Sequence, residues 1–189
     1  MRYRSLKRTT APVVEPVSLA DAKAHCRVDS QADDSLIVGY IQTARELVED
    51  YLDRSLVTQQ YIMRLDSFPP EIELPRPPMS ATTTAVTVTY TASTGETVTL
   101  PSSEYRVDRE ATPGRIRTLY NGSWPSHLLD TNSVTVTWWA GYGSSADVPQ
   151  RVKSAMLMTI LALYDGRGDA QLPPGAKALL DTVSWGSYT

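Results

Sequence analysis

The chain is poor in the side chains that most often build metal and catalytic sites. Its 189 residues include one cysteine and two histidines. A lone cysteine excludes a disulfide within the chain, and a structural zinc site needs four nitrogen or sulfur ligands at paired spacings, more than the chain offers. The sequence also lacks a Walker loop, a dinucleotide fingerprint, an H-E-x-x-H pair and a G-x-S-x-G elbow. We therefore predict that the protein is not an enzyme and has no catalytic, metal-binding or cofactor-binding residues.

Long apolar runs and a basic excess are missing as well. No uninterrupted apolar segment approaches the roughly 18–20 residues that a membrane helix needs, so we expect no membrane partner. The formal net charge is −3 at pH 7, whereas a dedicated nucleic-acid-binding protein usually carries a strong basic excess. These features predict a soluble protein that assembles in the cytosol.

One stretch, AHCRVDSQADDSL at residues 24–36, nevertheless gathers potential ligands. It contains one histidine, one cysteine and three aspartates: His25, Cys26, Asp29, Asp33 and Asp34. His25 and Cys26 are adjacent, so on a helix their side chains point in different directions and cannot easily share one ion. The aspartates do not follow the calcium-loop pattern of alternate acids, a central glycine and a closing glutamate. We interpret the stretch as a corner between two helices, with Cys26 as a small core residue.

A short first helix is predicted before this corner. Ser18 is a good N-cap, and Asp21 occupies the capping-box position three residues later. The helix should run to about Val28. Asp33 or Asp34 should then cap a second helix by accepting hydrogen bonds from its free N–H groups.

The second helix is long and amphipathic. Its apolar residues recur at three- and four-residue steps: Leu36, Ile37, Tyr40, Ile41, Ala44, Leu47, Val48, Tyr51 and Leu52. Arg45 and Glu49 lie one turn apart and are expected on the solvent-facing side. The two helices together form the first half of a helical body, residues 18–55.

The pattern changes at Val57. Short, β-branched and alternating segments follow, separated by prolines and by turn sequences such as Asn121-Gly122. The clearest of these segments is SVTVTWW at residues 133–139. The sequence therefore predicts an all-β insertion of about six short strands within residues 56–147.

Helical periodicity returns in residues 148–183, the second half of the helical body. The third helix has a seam formed by Val152, Met156, Thr159 and Leu163. Its apolar surface is so wide that it must be buried on most sides, against other helices or against neighbouring subunits in a ring. A last short helix begins at Pro173-Pro174. The fold class is therefore α+β, a helical body that carries the β insertion.

Both ends of the chain are distinctive. Residues 1–17 begin with four cations and no acid, and we interpret them as a flexible basic arm that contacts a partner or serves only as a disordered leader. Its cations are Arg2, Arg4, Lys7 and Arg8. Residues 184–189 form an aromatic C-terminal tail, in which Trp185 and Tyr188 are candidate anchors for docking.

Several of these segments, in order, resemble the head–tail connector family of tailed bacteriophages. The opening EPVSLADAKAHCRVD is similar to the family signature "P-hydroxyl-L-x-E/D-A-K-x-h-L-R-h-D". The family's "D-D-x-L-I" step and its "A-R-x-x-h-E-x-Y-L" helix resemble the sequence from Asp33 to Leu52. Its "I-x-L-P-x-x-P" stretch and its glycine–tyrosine join into the third helix have counterparts near Ile72 and Gly141. Cys26 departs from the pattern by replacing a leucine.

The resemblance implies a structural virion protein at the head–tail junction, assembled in the host cytoplasm. It implies an adaptor that forms a homo-oligomeric, dodecameric ring beneath the portal protein, extends the DNA channel and docks the stopper or another tail-side protein. Double-stranded DNA would pass through the ring without sequence specificity, and a net acidic protein suits sliding better than gripping. The tail and the arm would then contact the portal, or, for the arm, DNA. The alternative is a β-rich binding module, such as a tail-associated glycan or receptor binder, which predicts exposed aromatic residues on the β insertion.

Replacing both Asp33 and Asp34 by Ala should reduce stability without any loss of metal. Loss of a helix cap costs about 1 kcal/mol, so we expect a lower thermal midpoint for the double variant. Metal analysis of the wild-type protein is the control. A stoichiometric metal that disappears in the variant would contradict the interpretation.

Overall fold

The computed structural model describes residues 5–83, 85–166 and 171–183. The described residues form four α-helices and eight strands. The helices are α1 (Leu19–Cys26), α2 (Asp34–Leu52), α3 (Gln150–Gly166) and α4 (Pro174–Asp181). The strands are β1 (Ser5–Thr10), β2 (Gln59–Leu65), β3 (Glu71–Leu74), β4 (Val86–Thr91), β5 (Thr97–Thr99), β6 (Tyr105–Asp108), β7 (Gly114–Thr118) and β8 (Val134–Ala140). The predicted α+β class is confirmed.

The chain divides into two compact units, and each is formed by two separate segments. The β unit contains Thr58–Tyr142 and the segment that ends at Pro12. The helical unit contains Val13–Val57 and the segment that begins at Gly143. The chain thus crosses from one unit to the other three times.

Two antiparallel sheets make up the β unit. The first has the strand order β1-β2-β8-β4-β5, and the second has the order β3-β7-β6. Alternating residues of both sheets share one hydrophobic core, in which Trp138 of β8 is fully buried and stacks on Tyr61 of β2 with 5.8 Å between ring centroids. This alternation explains the recognisable VTVTWW pattern, since inward residues of a strand recur every second position.

The first strand corrects the expectation of a flexible arm. Ser5–Thr10 forms the edge strand of the first sheet and pairs with β2. Ser5 lies opposite Arg64, and Thr10 lies opposite Gln60. The hydroxyl of Thr9 donates to the Gln60 side chain over 3.0 Å, and Leu6 packs on the core. The basic residues of this segment are therefore carried by a paired strand.

The described part of residues 56–147 contains seven strands, β2 to β8, which is one more than the predicted number of about six. Strand β7 lies in the centre of the second sheet, where Ile116 opposes Ile72 of β3 and Val107 of β6. Its sequence, GRIRT, has a single large apolar residue, so periodicity alone gave no signal for it. Strands β4 and β5 form an antiparallel hairpin, with Tyr90 opposite Val98.

The helical unit has a core that closes within one chain. The seam residues of α3, Val152, Met156, Thr159 and Leu163, are all buried. Helices α1, α2 and α4 pack on α3 and supply this cover. Of the two alternatives for these residues, the structure favours cover by other helices of the chain over the predicted ring contact, because the same apolar pattern serves the chain's own core.

The caps around the corner differ in detail from the prediction. The hydroxyl of Ser18 accepts from the Asp21 N–H over 3.1 Å, as expected for an N-cap. Asp33 occupies the N-cap position of α2, but its side chain makes no capping hydrogen bond. Instead it accepts from the Tyr164 hydroxyl over 2.8 Å, and Asp34 pairs with Lys23 over 2.6 Å. Both aspartates thus join α2 to other helices.

Within the described ranges, no helix combines the length and the hydrophobicity that crossing a membrane would require.

Two methionines of α3 provide a test of the corrected core. Met156 is fully buried and Met158 is 40% exposed. Met156→Ala should lower the free energy of unfolding by about 2–5 kcal/mol, since it leaves a cavity in the core. Met158→Ala is the matched control and should change it by less than about 1 kcal/mol. Urea denaturation of the monomer measures both values, and equal effects of the two substitutions would contradict this packing.

Candidate docking surfaces

A buried arginine connects the segment that enters the helical unit after Pro12 with the segment that leaves it at Val57. Arg45 of α2 donates through Nε to Glu15 over 2.9 Å and through Nη1 to Glu49 over 3.0 Å. The other carboxylate oxygen of Glu49 accepts the backbone N–H of Leu56 over 2.9 Å. Glu15 lies in the segment that enters the unit, and Leu56 in the segment that leaves it. This hydrogen-bonded cluster fixes both segments to α2.

The expectation that Arg45 and Glu49 face solvent is therefore wrong. Their side chains are only 5% and 6% exposed. Burial raises the pKa of Glu15, although the charge of Arg45 opposes this effect. Burial also disfavours the charged form of Arg45, but the carboxylates of Glu49 and Glu15 more than compensate and raise its pKa. The cluster is stable because each buried charge has an opposite charge and hydrogen bonds.

A separate set of hydrogen bonds holds the segment where the chain returns to the helical unit at Gly143. The Asp147 carboxylate accepts from the backbone N–H of Ser144 over 2.8 Å and from its hydroxyl over 2.7 Å. These hydrogen bonds lower the pKa of Asp147. Gly143 has φ = 129°, and a Cβ there would lie 2.6 Å from the Asp147 carboxylate. A glycine is therefore required for this entry into α3.

A long loop between β7 and β8 is held in place by aromatic residues. Trp124 stacks on Phe68 with 4.7 Å between ring centroids, and its Nε1 donates to the Pro69 carbonyl over 2.7 Å. His127 packs edge-on against the same Phe68 ring at 5.1 Å. The Leu128 N–H donates to the carbonyl of Thr91 over 2.9 Å. The loop is thereby fixed to the ends of two strands.

This fixed loop presents apolar side chains to solvent. Tyr120 is 93% exposed and Leu129 is 80% exposed, with Leu119 and Leu128 partly exposed beside them in sequence. We call these four residues the loop surface. Residues 119–129 contain no Lys, Arg, Asp or Glu. An uncharged, exposed apolar segment on a fixed loop is typical of a protein-binding surface.

The second sheet presents a contrasting, charged face. Arg115 of β7 pairs with Asp108 over 2.8 Å and approaches Glu71 within 3.5 Å. Arg117 also pairs with Glu71. The Arg115 guanidinium lowers the pKa of Asp108. The charges of Arg115 and Arg117 are thus matched by acidic residues of the same sheet.

The aspartate and histidine residues of the corner do not converge on one site. His25 lines a groove of about 490 Å³ in the helical unit, together with Glu15 and Lys153. Burial raises the pKa of the Cys26 thiol, with a smaller contribution from Asp165, so its reactive thiolate form is disfavoured. Among the residues that the structure describes, no three His, Cys, Asp or Glu side chains are grouped to hold a metal ion.

The structure describes some of the contact residues that were predicted at the two ends of the chain and leaves others outside its described ranges. Lys7 and Arg8 are exposed on β1, and Arg8 donates to Gln59 over 3.4 Å. Arg2 and Arg4 lie outside the described residues, as do Trp185 and Tyr188. Their proposed contacts with a portal or DNA stay predictions.

The loop surface is the candidate site that sequence reasoning missed. The pair Leu128-Leu129 and the adjacent Leu119-Tyr120 occur in a region without periodicity, so no pattern indicated whether they are buried. A signal was present in the apolar composition of a segment rich in turn residues.

Comparison with protein families identifies the chain. The model of the phage gp6-like head–tail connector protein family matches residues 16–116, which is more than half of the chain. The chain belongs to this family. The family consists of structural connector proteins of the virion and is generally non-enzymatic.

Solved structures with a similar fold come from gene transfer agent particles. A chain in the neck of an empty particle, computed with C6 symmetry, matches with a TM-score of 0.78 at 20% identity, covering 95% of each chain. A chain from the virion of a native particle has a TM-score of 0.77 at 20% identity, covering 95% of this chain and 94% of that one. A chain in the neck of a native particle, computed with C12 symmetry, has a TM-score of 0.71 at the same identity and the same coverage. No curated protein sequence matches the chain significantly.

Two glutamates of α2 provide a test of the Arg45 cluster. Glu49 is buried against Arg45, whereas Glu46 is 54% exposed and lies 3.5 Å from the same guanidinium. Glu49→Gln should lower the free energy of unfolding by about 3–5 kcal/mol, since it leaves Arg45 short of a buried counter-charge. Glu46→Gln, the matched control, should change it by less than about 1 kcal/mol. Urea denaturation at neutral pH compares the two, and a neutral Glu49→Gln would show that the cluster is dispensable.

Proposed function

We propose that this connector is the head–tail adaptor, a dodecameric ring of identical chains beneath the portal. The ring extends the DNA channel and docks the stopper or another tail-side protein. The observation that carries this proposal is a fold shared over 95% of the chain with neck chains of gene transfer agent particles. The symmetries used for those necks, C6 in one and C12 in the other, are compatible with twelve copies.

Charge supports the role of a DNA conduit. The net charge of −3 disfavours tight contact with phosphates. Arg115 and Arg117 of the second sheet already have acidic partners in the same sheet. A channel lined by such a protein lets double-stranded DNA slide without sequence-specific binding.

The loop surface supports docking to another protein of the neck. Tyr120 and Leu129 are large apolar side chains, and the aromatic packing of Trp124 keeps their loop in a fixed position. Fixed apolar residues bind with little loss of conformational entropy. We propose that they contact the tail-side protein, while Trp185 and Tyr188 contact the portal and Lys7 and Arg8 contact the portal or DNA.

The β-rich glycan or receptor binder remains the alternative, with weaker support. Such a module needs exposed aromatic rings on the β unit. Trp138 is buried, Trp139 is half-buried and the Trp124 ring is covered by Phe68. Tyr120 is the strongly exposed aromatic residue of the described β unit. A single tyrosine ring beside leucines fits a protein contact better than a sugar-binding platform.

Negative-stain microscopy of purified protein and of the parent particle tests the adaptor role. We expect a ring at the portal vertex that carries this chain, and we expect Tyr120→Ser combined with Leu129→Ser to leave the ring intact but to abolish attachment of the tail-side protein. Val13 is the matched control, since it is 92% exposed but lies in the helical unit, and Val13→Ser should leave attachment unchanged. A vertex without the chain, together with glycan binding by the monomer, would favour the alternative.

A further inference from the structure

Ring formation requires two different surfaces on each chain, since every copy contacts its two neighbours in a head-to-tail manner. The buried seam of α3 cannot supply either of them. The outer sides of two described helices carry residues that the chain's own core does not use. The row on α2 is largely apolar, and the row on α3 combines polar and apolar residues.

The first stripe follows the outer side of α2. Leu36, Tyr40, Thr43 and Leu47 recur at four-, three- and four-residue steps, and we call them the α2 stripe. Leu36 is 47% exposed and the other three are partly buried. The core-facing residues of the same helix, such as Ile37, Ile41 and Val48, belong to a separate row. Helix α2 thus has a second apolar side that no helix of the described unit fully covers.

The second stripe follows the outer side of α3. Arg151, Ser154, Met158 and Leu161 recur at three-, four- and three-residue steps, and we call them the α3 stripe. Arg151 and Met158 are exposed, and Ser154 and Leu161 are partly exposed. The sulfur of Met158 lies 3.7 Å from the position of a Cβ on Gly175. Arg151 also donates to the Thr182 hydroxyl at the end of α4 over 3.3 Å. This stripe therefore borders α4 and is separate from the buried seam.

The two stripes match in length and in spacing. Each extends over about four turns when the acidic residue that follows it is included, Asp50 on α2 and Asp165 on α3, or roughly 21 Å. Rows that repeat every seven residues are the rows through which helices pack side by side. Two such rows can therefore lie against each other along their whole length.

Charge selects the partner and the orientation. The exposed charged residues of α2 near its C-terminal end are acidic, Glu46 and Asp50, although Glu46 also lies 3.5 Å from the guanidinium of the buried Arg45. The α3 stripe begins with Arg151 at the N-terminal end of its helix. An antiparallel contact brings Asp50 and Arg151 together. The dipoles of the two helices then point in opposite directions, which is favourable. The acidic end of one surface is thus complementary to the basic end of the other.

We propose that the α2 stripe of one chain packs antiparallel on the α3 stripe of the next copy and forms the lateral contact of the ring. The inference rests on the proposed adaptor function, which supplies the ring. Helices α2 and α3 of one chain already run antiparallel, since Tyr164 near the end of α3 contacts Asp33 at the start of α2. A rotation about an axis parallel to these helices keeps that relation between α2 and the neighbour's α3.

Thiol cross-linking tests this contact, because Cys26 is the single native cysteine. In a Cys26→Ser background, the double variant Thr43→Cys with Ser154→Cys should give a ladder of covalent multimers when the concentrated full-length protein is treated with a short bismaleimide. Each single variant should stay monomeric, and an equimolar mixture of the two single variants should give dimers only. Val38→Cys with Ser154→Cys is the matched control, since Val38 is 41% exposed but lies outside the α2 stripe; it should give no ladder.

The outcomes separate this contact from the adaptor function itself. A ladder from the Thr43 pair alone supports the proposal. Dimers from the Thr43→Cys single variant would indicate a symmetric α2–α2 contact, and absence of a ladder or an equal ladder from the control would also overturn it. Microscopy of the wild-type vertex decides the adaptor function independently, because a ring can be present there while its lateral contact lies elsewhere.

Discussion

The architecture of the helical unit depends on one buried cation. Arg45 lies inside the unit, where a charge without partners would be strongly destabilising. Its hydrogen bonds to Glu15 and Glu49 satisfy it, and Glu49 in turn accepts the Leu56 N–H. The chain can place this charge in the interior only if the segment before α1 and the segment after α2 both reach α2. One residue thus determines where the chain enters and leaves the helical unit on its N-terminal side.

A protein in the proposed role would have to hold its contact surfaces in fixed positions. Helices α2 and α3 do so by packing on each other, so that their outer residues are part of rigid elements. The β7–β8 loop reaches the same result by different means, with Trp124 and His127 packed around Phe68. If copies associate through helices and the tail-side protein docks on the loop, substitutions in one of these contacts would not disturb the other.

Periodicity in the sequence was sufficient for the long elements. Helix α2 and strand β8 have strong patterns, and the predicted insertion at 56–147 lies close to the observed Thr58–Tyr142. Strands β1 and β7 are short and polar, with Leu6 and Ile116 as their apolar contributions, so they become strands through pairing. Arg45 was misplaced because its decisive partner, Glu15, is 30 residues away. The seam of α3 was correctly predicted to be buried, but an apolar pattern does not say whether the same chain or a neighbour covers it.

The chain passes between the β unit and the helical unit three times, and this has a consequence for the order of folding. Strand β2 lies between β1 and β8, which are separated by more than a hundred residues of sequence that include α1, α2 and most of the β unit. During synthesis the β1–β2 pair can form early, but one edge of β2 stays open until β8 emerges, and α2 lacks the cover of α3 until later still. Such long-range closure is slow and leaves apolar surface exposed. Each chain is therefore complete only after nearly its whole length has been made, so the proposed contact between copies would form only once the subunit is finished.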